Sequence, residues 1–133
     1  MKIGLDIDGV ITADPVFFGV ICRKILLEGE VHIVSSRSPE ARMETVAELA
    51  ELGIRYDALH LLAPMSVAQT LCPHAQLDWY QRHQWLKVAY ALANRLTHFV
   101  DDDGKVLALF AQFAASVSAI DFKDRMQLQS PAD

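Results

Sequence analysis

The sequence predicts a three-layer α/β domain built on a five-stranded parallel sheet, and three observations carry that expectation. Five short apolar runs recur along the chain, at Lys2–Ile7, Val31–Ser35, Tyr56–Leu62, Thr97–Val100 and Ser116–Ile120. Several hold Val, Ile or Leu on both faces, as strands covered by helices on both sides do. Longer segments with helical spacing separate most of them. Strands alternating with helices require right-handed crossovers, and those connections build parallel sheets. The 133 residues fit one domain, large enough to bury a core without disulfides or metal staples.

Each element has a local reason. The first helical segment runs from Pro15 to Glu28, with Val16, Val20, Ile21, Ile25 and Leu27 as its apolar positions. The second spans Pro39 to Leu52. Ser38 and Pro39 form an N-cap and first-turn pair, and Gly53 supplies the C-terminal stop. The third runs from Gln81 to Asn94, with Trp85, Val88, Ala89 and Leu92 on one stripe. The fourth runs from Gly104 to Ala114, with Asp103 as its cap. Ala63–Tyr80 has no clean period and contains Pro64 and Pro73, so it reads as a long loop with at most one helical turn. The polar segment Gln127–Asp133 reads as a frayed tail after a core of residues 1–126.

Composition narrows the function classes. With 52% hydrophobic residues the chain is expected to be globular, not disordered. Charged residues interrupt every apolar stretch well short of the roughly 20 needed to cross a membrane. Asp6 and Asp8 follow the N-terminus so closely that no secretory leader is expected. Cys22 and Cys72 are too few for a disulfide framework and lack ligand spacing, so a cytoplasmic setting with reduced thiols is expected. A net charge of −5 with no basic stripe disfavours nucleic acid as the main partner. The missing GxxxxGK[ST] pattern excludes a P-loop NTPase. A nicotinamide-binding domain needs a glycine fingerprint after the first strand, where only Gly9 stands.

Ligands of open α/β sheets bind outside the carboxyl ends of the strands. The first run ends in Asp6-Ile7-Asp8-Gly9, the second in Ser35-Ser36-Arg37 and the fourth in Asp101-Asp102-Asp103-Gly104. If the first strand continued, its two-residue period would put Asp6 and Asp8 on one side. Six of the 17 acidic residues, these five and Asp14, fall on or near one expected sheet edge. Close carboxylate pairs repel by about 4 kcal/mol at a surface-like dielectric, and a hard divalent cation relieves that. Taken singly, Asp8 is a turn former, Asp103 a helix cap, Ser35 a loop hydroxyl and Lys87 a solvated helix lysine. Their conjunction in this order is what points to chemistry.

Ile3-Gly-Leu-Asp-Ile-Asp-Gly-Val-Ile-Thr12, Val31-His-Ile-Val-Ser35-Ser-Arg37, Lys87 and His98-Phe-Val-Asp-Asp-Asp103, in that order, resemble the four motifs of the haloacid dehalogenase-like (HAD) hydrolase superfamily. The resemblance implies a five-stranded Rossmann-like core and Mg²⁺-dependent phosphomonoester hydrolysis through an aspartyl-phosphate. It implies that Asp6 is the nucleophile and Asp8 the general acid and then base. It implies Mg²⁺ held by Asp6, the Asp8 backbone carbonyl and Asp101, with Asp102 ligating through water or orienting the others. Ser35 and Lys87 would contact substrate phosphate. Arg37 would either touch that phosphate or fix its loop through a carboxylate. Asp8 is expected to turn away from the metal and keep a high proton affinity, as an acid for an alkoxide needs. Lys105 is a rival cation, but it follows the acidic motif, where the family does not place it.

Spacing also bears on substrate. Asp8 and Ser35 lie 27 positions apart and Leu62 and Lys87 lie 25 apart, and neither gap has room for a cap domain. The chain therefore resembles capless members; Phe99-Val-Asp-Asp-Asp103 and Ser35-Ser-Arg37 look somewhat like the 5′(3′)-deoxyribonucleotidase-like branch, and Asp8-Gly-Val-Ile-Thr12 resembles sugar-phosphate phosphatases that assemble as tetramers. An open site of that kind takes a phosphorylated nucleotide or sugar, takes a phosphate exposed on a larger substrate, or is closed by a second copy. Segment 63–80 is a candidate partial lid, and His74, Trp79 and Tyr80 either stack on a substrate ring or plug the edge of the core. The alternatives are a catalytically idle HAD-like scaffold and a receiver-type signalling domain. The second needs an acid after the third strand, where Leu61-Leu62-Ala63 stands.

Overall fold

The computed structural model describes residues 1–129. All five expected strands form, as β1 (Lys2–Leu5), β2 (Glu30–Ser35), β3 (Ala58–Leu61), β4 (His98–Asp101) and β5 (Ser118–Asp121). They make one parallel sheet of order β3-β2-β1-β4-β5. The helices are α1 (Pro15–Ile25), α2 (Arg42–Glu51), α3 (Met65–Leu71), α4 (Trp79–Ala93) and α5 (Gly104–Phe113).

The sheet separates two cores, which makes three layers. On one face Ile3, Leu5, Ile33 and Val100 pack with Phe18, Ile21 and Cys22 of α1 and Leu49 of α2. On the other, Val34 and Phe99 pack with Val88 and Ala91 of α4 and Phe110 of α5. Val100 and Phe99 are consecutive and enter opposite cores, as the strand pleat dictates. Gly4 is small for the same reason, because a Cβ there would run into the Phe99 ring. The result is a Rossmann-like α/β fold. No helix among the described residues is long and apolar enough to cross a membrane.

Cap chemistry fixes the helix starts. Asp14 accepts the Phe17 N–H ahead of Pro15, and Ser38 caps a 3₁₀ turn at Pro39–Ala41 that leads into α2. Asp78 and Gln81 form a reciprocal capping box, so α4 starts two residues before the periodicity indicated. Asp103 accepts the Lys105 N–H and starts α5.

Two expectations are corrected. Segment 63–80 is not one long loop, because α3 occupies Met65–Leu71 and packs on α4. The seven-residue α3 is too short to show a clear helical period. The frayed tail does not begin at Gln127, since Phe122–Gln129 forms 3₁₀ turns and Leu128 is buried in the first core. One apolar side chain outweighed the polar composition around it. The remainder of that expected tail, residues 130–133, lies outside the described residues. Leu128→Ala is expected to cost about 2–4 kcal/mol in denaturant unfolding, the usual loss for a truncated core leucine. A change under about 0.5 kcal/mol, the size of an ordinary surface substitution, contradicts this packing.

Candidate active site

The strand order changes direction between β1 and β4, because α1 and α2 step the chain one way and α4 carries it back past β1. The carboxyl edge at such a reversal leaves a crevice where α/β proteins bind ligands. Asp6 directly follows β1 and Asp101 closes β4. The Asp6 N–H donates to the Val100 carbonyl at 3.3 Å, which ties the two strand ends together.

Lys87 reaches this edge from the middle of α4. Its Nζ lies 2.8 Å from Asp101 Oδ2 and 3.4 Å from Asp6 Oδ2. All three side chains are buried, with Lys87 only 2% exposed and Asp101 fully enclosed. A solvated surface lysine would not sit there. Burial alone would pull the Lys87 ammonium down, but Asp6 and Asp101 outweigh it and hold it above its usual value. Burial pushes the Asp6 carboxyl up to about 7, against the pull of Lys87 and with a further push from Asp101. Asp101 is raised as well, again mainly by burial. Two buried carboxylates thus share one ammonium, and the site is short of positive charge.

Asp102 joins them. Asp6, Asp101 and Asp102 each offer a carboxylate oxygen, all within 4.8 Å of one another. Three hard oxygen donors with a charge deficit fit a small divalent cation such as Mg²⁺ and do not suit softer, thiolate-seeking metals. Asp101 Oδ1 accepts the Asp103 N–H at 3.0 Å, which folds the acidic turn back on itself. Gly9 makes room for Asp102. Its φ is +80°, and a Cβ would collide with the Asp102 carboxylate. Gly9→Ala is therefore expected to lose about 1–2 kcal/mol from the positive φ and to weaken metal binding as Asp102 is displaced. Thermal melts with and without Mg²⁺ check this, and an unchanged Mg²⁺ response contradicts the contact.

The structure separates Asp8 from Asp6. The strand stops at Leu5, so period-2 alternation does not carry both carboxylates to one side. Asp8 has φ −72° and ψ 124° inside the turn Ile7–Ile11, which Thr12 clasps by accepting the Gly9 N–H and donating to the Ile7 carbonyl. The Asp8 carboxylate lies outside the metal-type cluster and meets Arg37 instead, Oδ2 to Nε at 3.0 Å and Oδ1 to Nη2 at 2.8 Å. The expectation that Asp8 keeps a high proton affinity is corrected, because hydrogen bonding from the Arg37 guanidinium holds its carboxyl below the usual range.

Ser35 ends β2, is 1% exposed, and accepts the Arg37 backbone N–H at 3.1 Å. The sheet register pairs Ile33 with Leu5, so Ser35 lies at the same edge as Asp6. Arg37 also bonds Glu48 twice and Thr45 once. Neither α2 residue stood out in the sequence, where Glu48 is one helix carboxylate among several.

The other residues singled out in the sequence have roles of their own. Asp14 leaves the acidic edge to cap α1 and pair with Arg125 at 2.9 Å. Asp103 caps α5 and accepts the Tyr80 hydroxyl, and Lys105 lies over the Tyr80 ring at 5.5 Å from its centre. His74 stacks on Phe113, whereas Trp79 is 61% exposed.

Fold and site together define an α/β domain with an acidic, lysine-bridged centre at its topological switch point. No family model matches the chain, and no curated protein matches it. Among solved structures it is similar in fold to a chain of the Pnkp1/Rnl/Hen1 RNA repair complex, with a TM-score of 0.62 and 15% identity, covering 90% of this chain and 42% of that one. A second structure of that complex gives 0.61 at 15% identity, covering 90% and 45%. The chain thus spans less than half the length of these neighbours, and at such identity the likeness is one of fold.

Proposed function

We propose that this domain is a capless HAD-type phosphatase, a Mg²⁺-dependent hydrolase of phosphomonoesters that acts through an aspartyl-phosphate on Asp6. The observation that carries the reading is Lys87 buried between Asp6 and Asp101 beside a third carboxylate. A lysine enclosed there organises carboxylates that a dianionic substrate would otherwise find repulsive. The neighbours' place in an RNA repair complex supports a nucleotide-like phosphate, free or exposed on a larger substrate.

Asp6 attacks phosphorus through a carboxylate oxygen, and the bond from phosphorus to the leaving oxygen breaks. Asp8 hands that oxygen a proton taken up as substrate docks. Asp8 then takes a proton from water as the water attacks the aspartyl-phosphate, which releases phosphate and restores Asp6. Lys87 draws Asp6 toward its ionised form against the effect of burial, and the Ser35 hydroxyl donates to a phosphate oxygen. Asp6, Asp101, Asp102 and the Asp8 carbonyl are the groups that would hold Mg²⁺, which when bound supplies charge neutralisation at the transferring phosphoryl group.

The test is hydrolysis of p-nitrophenyl phosphate, followed by a screen of nucleotides and sugar phosphates. Activity should require Mg²⁺ and vanish on chelation. A rate in Asp6→Asn equal to that of the wild type would overturn the assignment of the nucleophile. Metal binding should also depend on pH, because only ionised carboxylates bind. With Asp6 pushed up to about 7, protons compete with Mg²⁺ below neutrality. The Mg²⁺-induced rise in melting temperature is expected to be larger at pH 8 than at pH 5.5. An equal rise at both would place the ion elsewhere.

A further inference from the structure

We infer that Arg37 is a positioning residue for Asp8, braced by Glu48 and Thr45 of α2, and is not a ligand of substrate phosphate. The inference rests on the reading of Asp8 as acid and base. A guanidinium has five N–H donors, and here all five are taken. Nε and one Nη2 hydrogen hold the two Asp8 oxygens at 3.0 and 2.8 Å. The other Nη2 hydrogen meets Glu48 Oε2 at 3.1 Å. Nη1 serves Glu48 Oε1 at 3.0 Å and Thr45 Oγ1 at 3.4 Å. No donor remains for a phosphate oxygen while the fork is intact.

The exposures give the direction of control. The Asp8 side chain is 65% exposed, and Arg37 is its hydrogen-bond partner among the described residues. An exposed carboxylate on a turn would otherwise sample several rotamers. Arg37 is 21% exposed and fixed at both ends, by its own N–H on Ser35 Oγ and by the doubly bonded Glu48. Thr45 is fully buried on α2 and anchors the far end. The path runs from a packed helix, through a planar cation, to a carboxylate that must stay within reach of a leaving oxygen. Such geometry matters, since a misplacement of about 1 Å can cost on the order of a hundredfold in rate.

A double-mutant cycle with p-nitrophenyl phosphate tests this, because residues acting through one another are non-additive. Arg37→Gln should lower kcat by about 10- to 100-fold with KM within about twofold. Glu48→Gln should lower kcat by several-fold, again at steady KM. In an Asp8→Asn background neither change should lower kcat by more than about twofold. Arg37→Lys should not restore the rate, since an ammonium keeps the charge but loses the fork. Glu44→Gln, an exposed carboxylate of the same helix, should match wild type. Losses that multiply in the Asp8→Asn background, a loss carried by KM, or full rescue by lysine overturn the inference. Should the Arg37 variants fail to fold in a thermal melt, Glu48→Gln alone decides by the same criteria. An Asp8→Asn enzyme as fast as wild type removes the acid–base reading and this inference with it, while an inactive wild type rejects the phosphatase reading itself.

Discussion

Lys87→Met should damage both stability and activity. It removes the ammonium between two buried carboxylates and leaves Asp6 and Asp101 without that counter-charge. Breaking a buried pair by deleting one partner costs about 3–5 kcal/mol, because the remaining charge stays uncompensated. The loss should depend on pH. Asp6 and Asp101 already have raised folded-state values, so both bind protons more tightly folded than unfolded. Stability from their neutral forms is present at low pH and is lost as pH rises through the folded values. The variant should therefore be closest to wild type near pH 4 and furthest from it near pH 8. Phosphatase activity should fall by at least about a hundredfold, the usual loss for one preorganised charge at a transition state. Urea unfolding at the two pH values checks the first part, and equal losses at both refute the buried-charge account.

Asp6→Asn is expected to separate activity from stability. On the proposed mechanism turnover should drop at least about a thousandfold, because an amide oxygen cannot replace the Asp6 carboxylate as nucleophile. The metal-free protein should become more stable at the same time. Burial pushes the Asp6 carboxyl to about 7 from an ordinary value near 3.8, so ionising it in the folded state costs free energy. Its stabilising neutral form is complete below about 4 and gone once pH passes 7. Asparagine is neutral throughout, so it should gain a few kcal/mol at pH 8 and almost nothing at pH 4. Mg²⁺ should reverse the order by stabilising the wild type alone. A variant less stable than wild type at pH 8 without metal would mean that Asp6 holds the fold together, contrary to its burial beside Asp101.

Much of the site was legible because its residues follow strands. Asp6, Ser35 and Asp101 stand at the ends of apolar runs, and a parallel sheet brings such ends to one edge whatever the loops do. Lys87 was legible only by its motif, since composition alone describes a helix lysine on a solvated face. Asp8 was half legible. Its position in the turn follows from Gly9, but its partner lies 29 residues away on another loop. Glu48 and Thr45 carried no signal, because their role exists only once α2 is packed beside the β2 loop. Helix α3 and Leu128 were missed for a related reason. Short segments lack a period, and a single apolar residue in a polar stretch is decided by the core it meets.

Sequence by itself thus determined the three-layer architecture, the five parallel strands and the placing of Asp6, Asp101 and Asp102 at one edge. Those follow from local patterns of period two and of about three and a half, which the strand runs and the longer helices display. Tertiary structure alone decided how the charges are divided. Asp6 and Asp101 flank Lys87 with Asp102 beside them and a deficit of positive charge, Asp8 is drawn to Arg37, Asp14 to Arg125 and Asp103 to Tyr80. Each pairing joins residues far apart in the chain, and burial sets its strength. A carboxylate's neighbours, more than its identity, fix whether it binds metal, moves a proton or caps a helix.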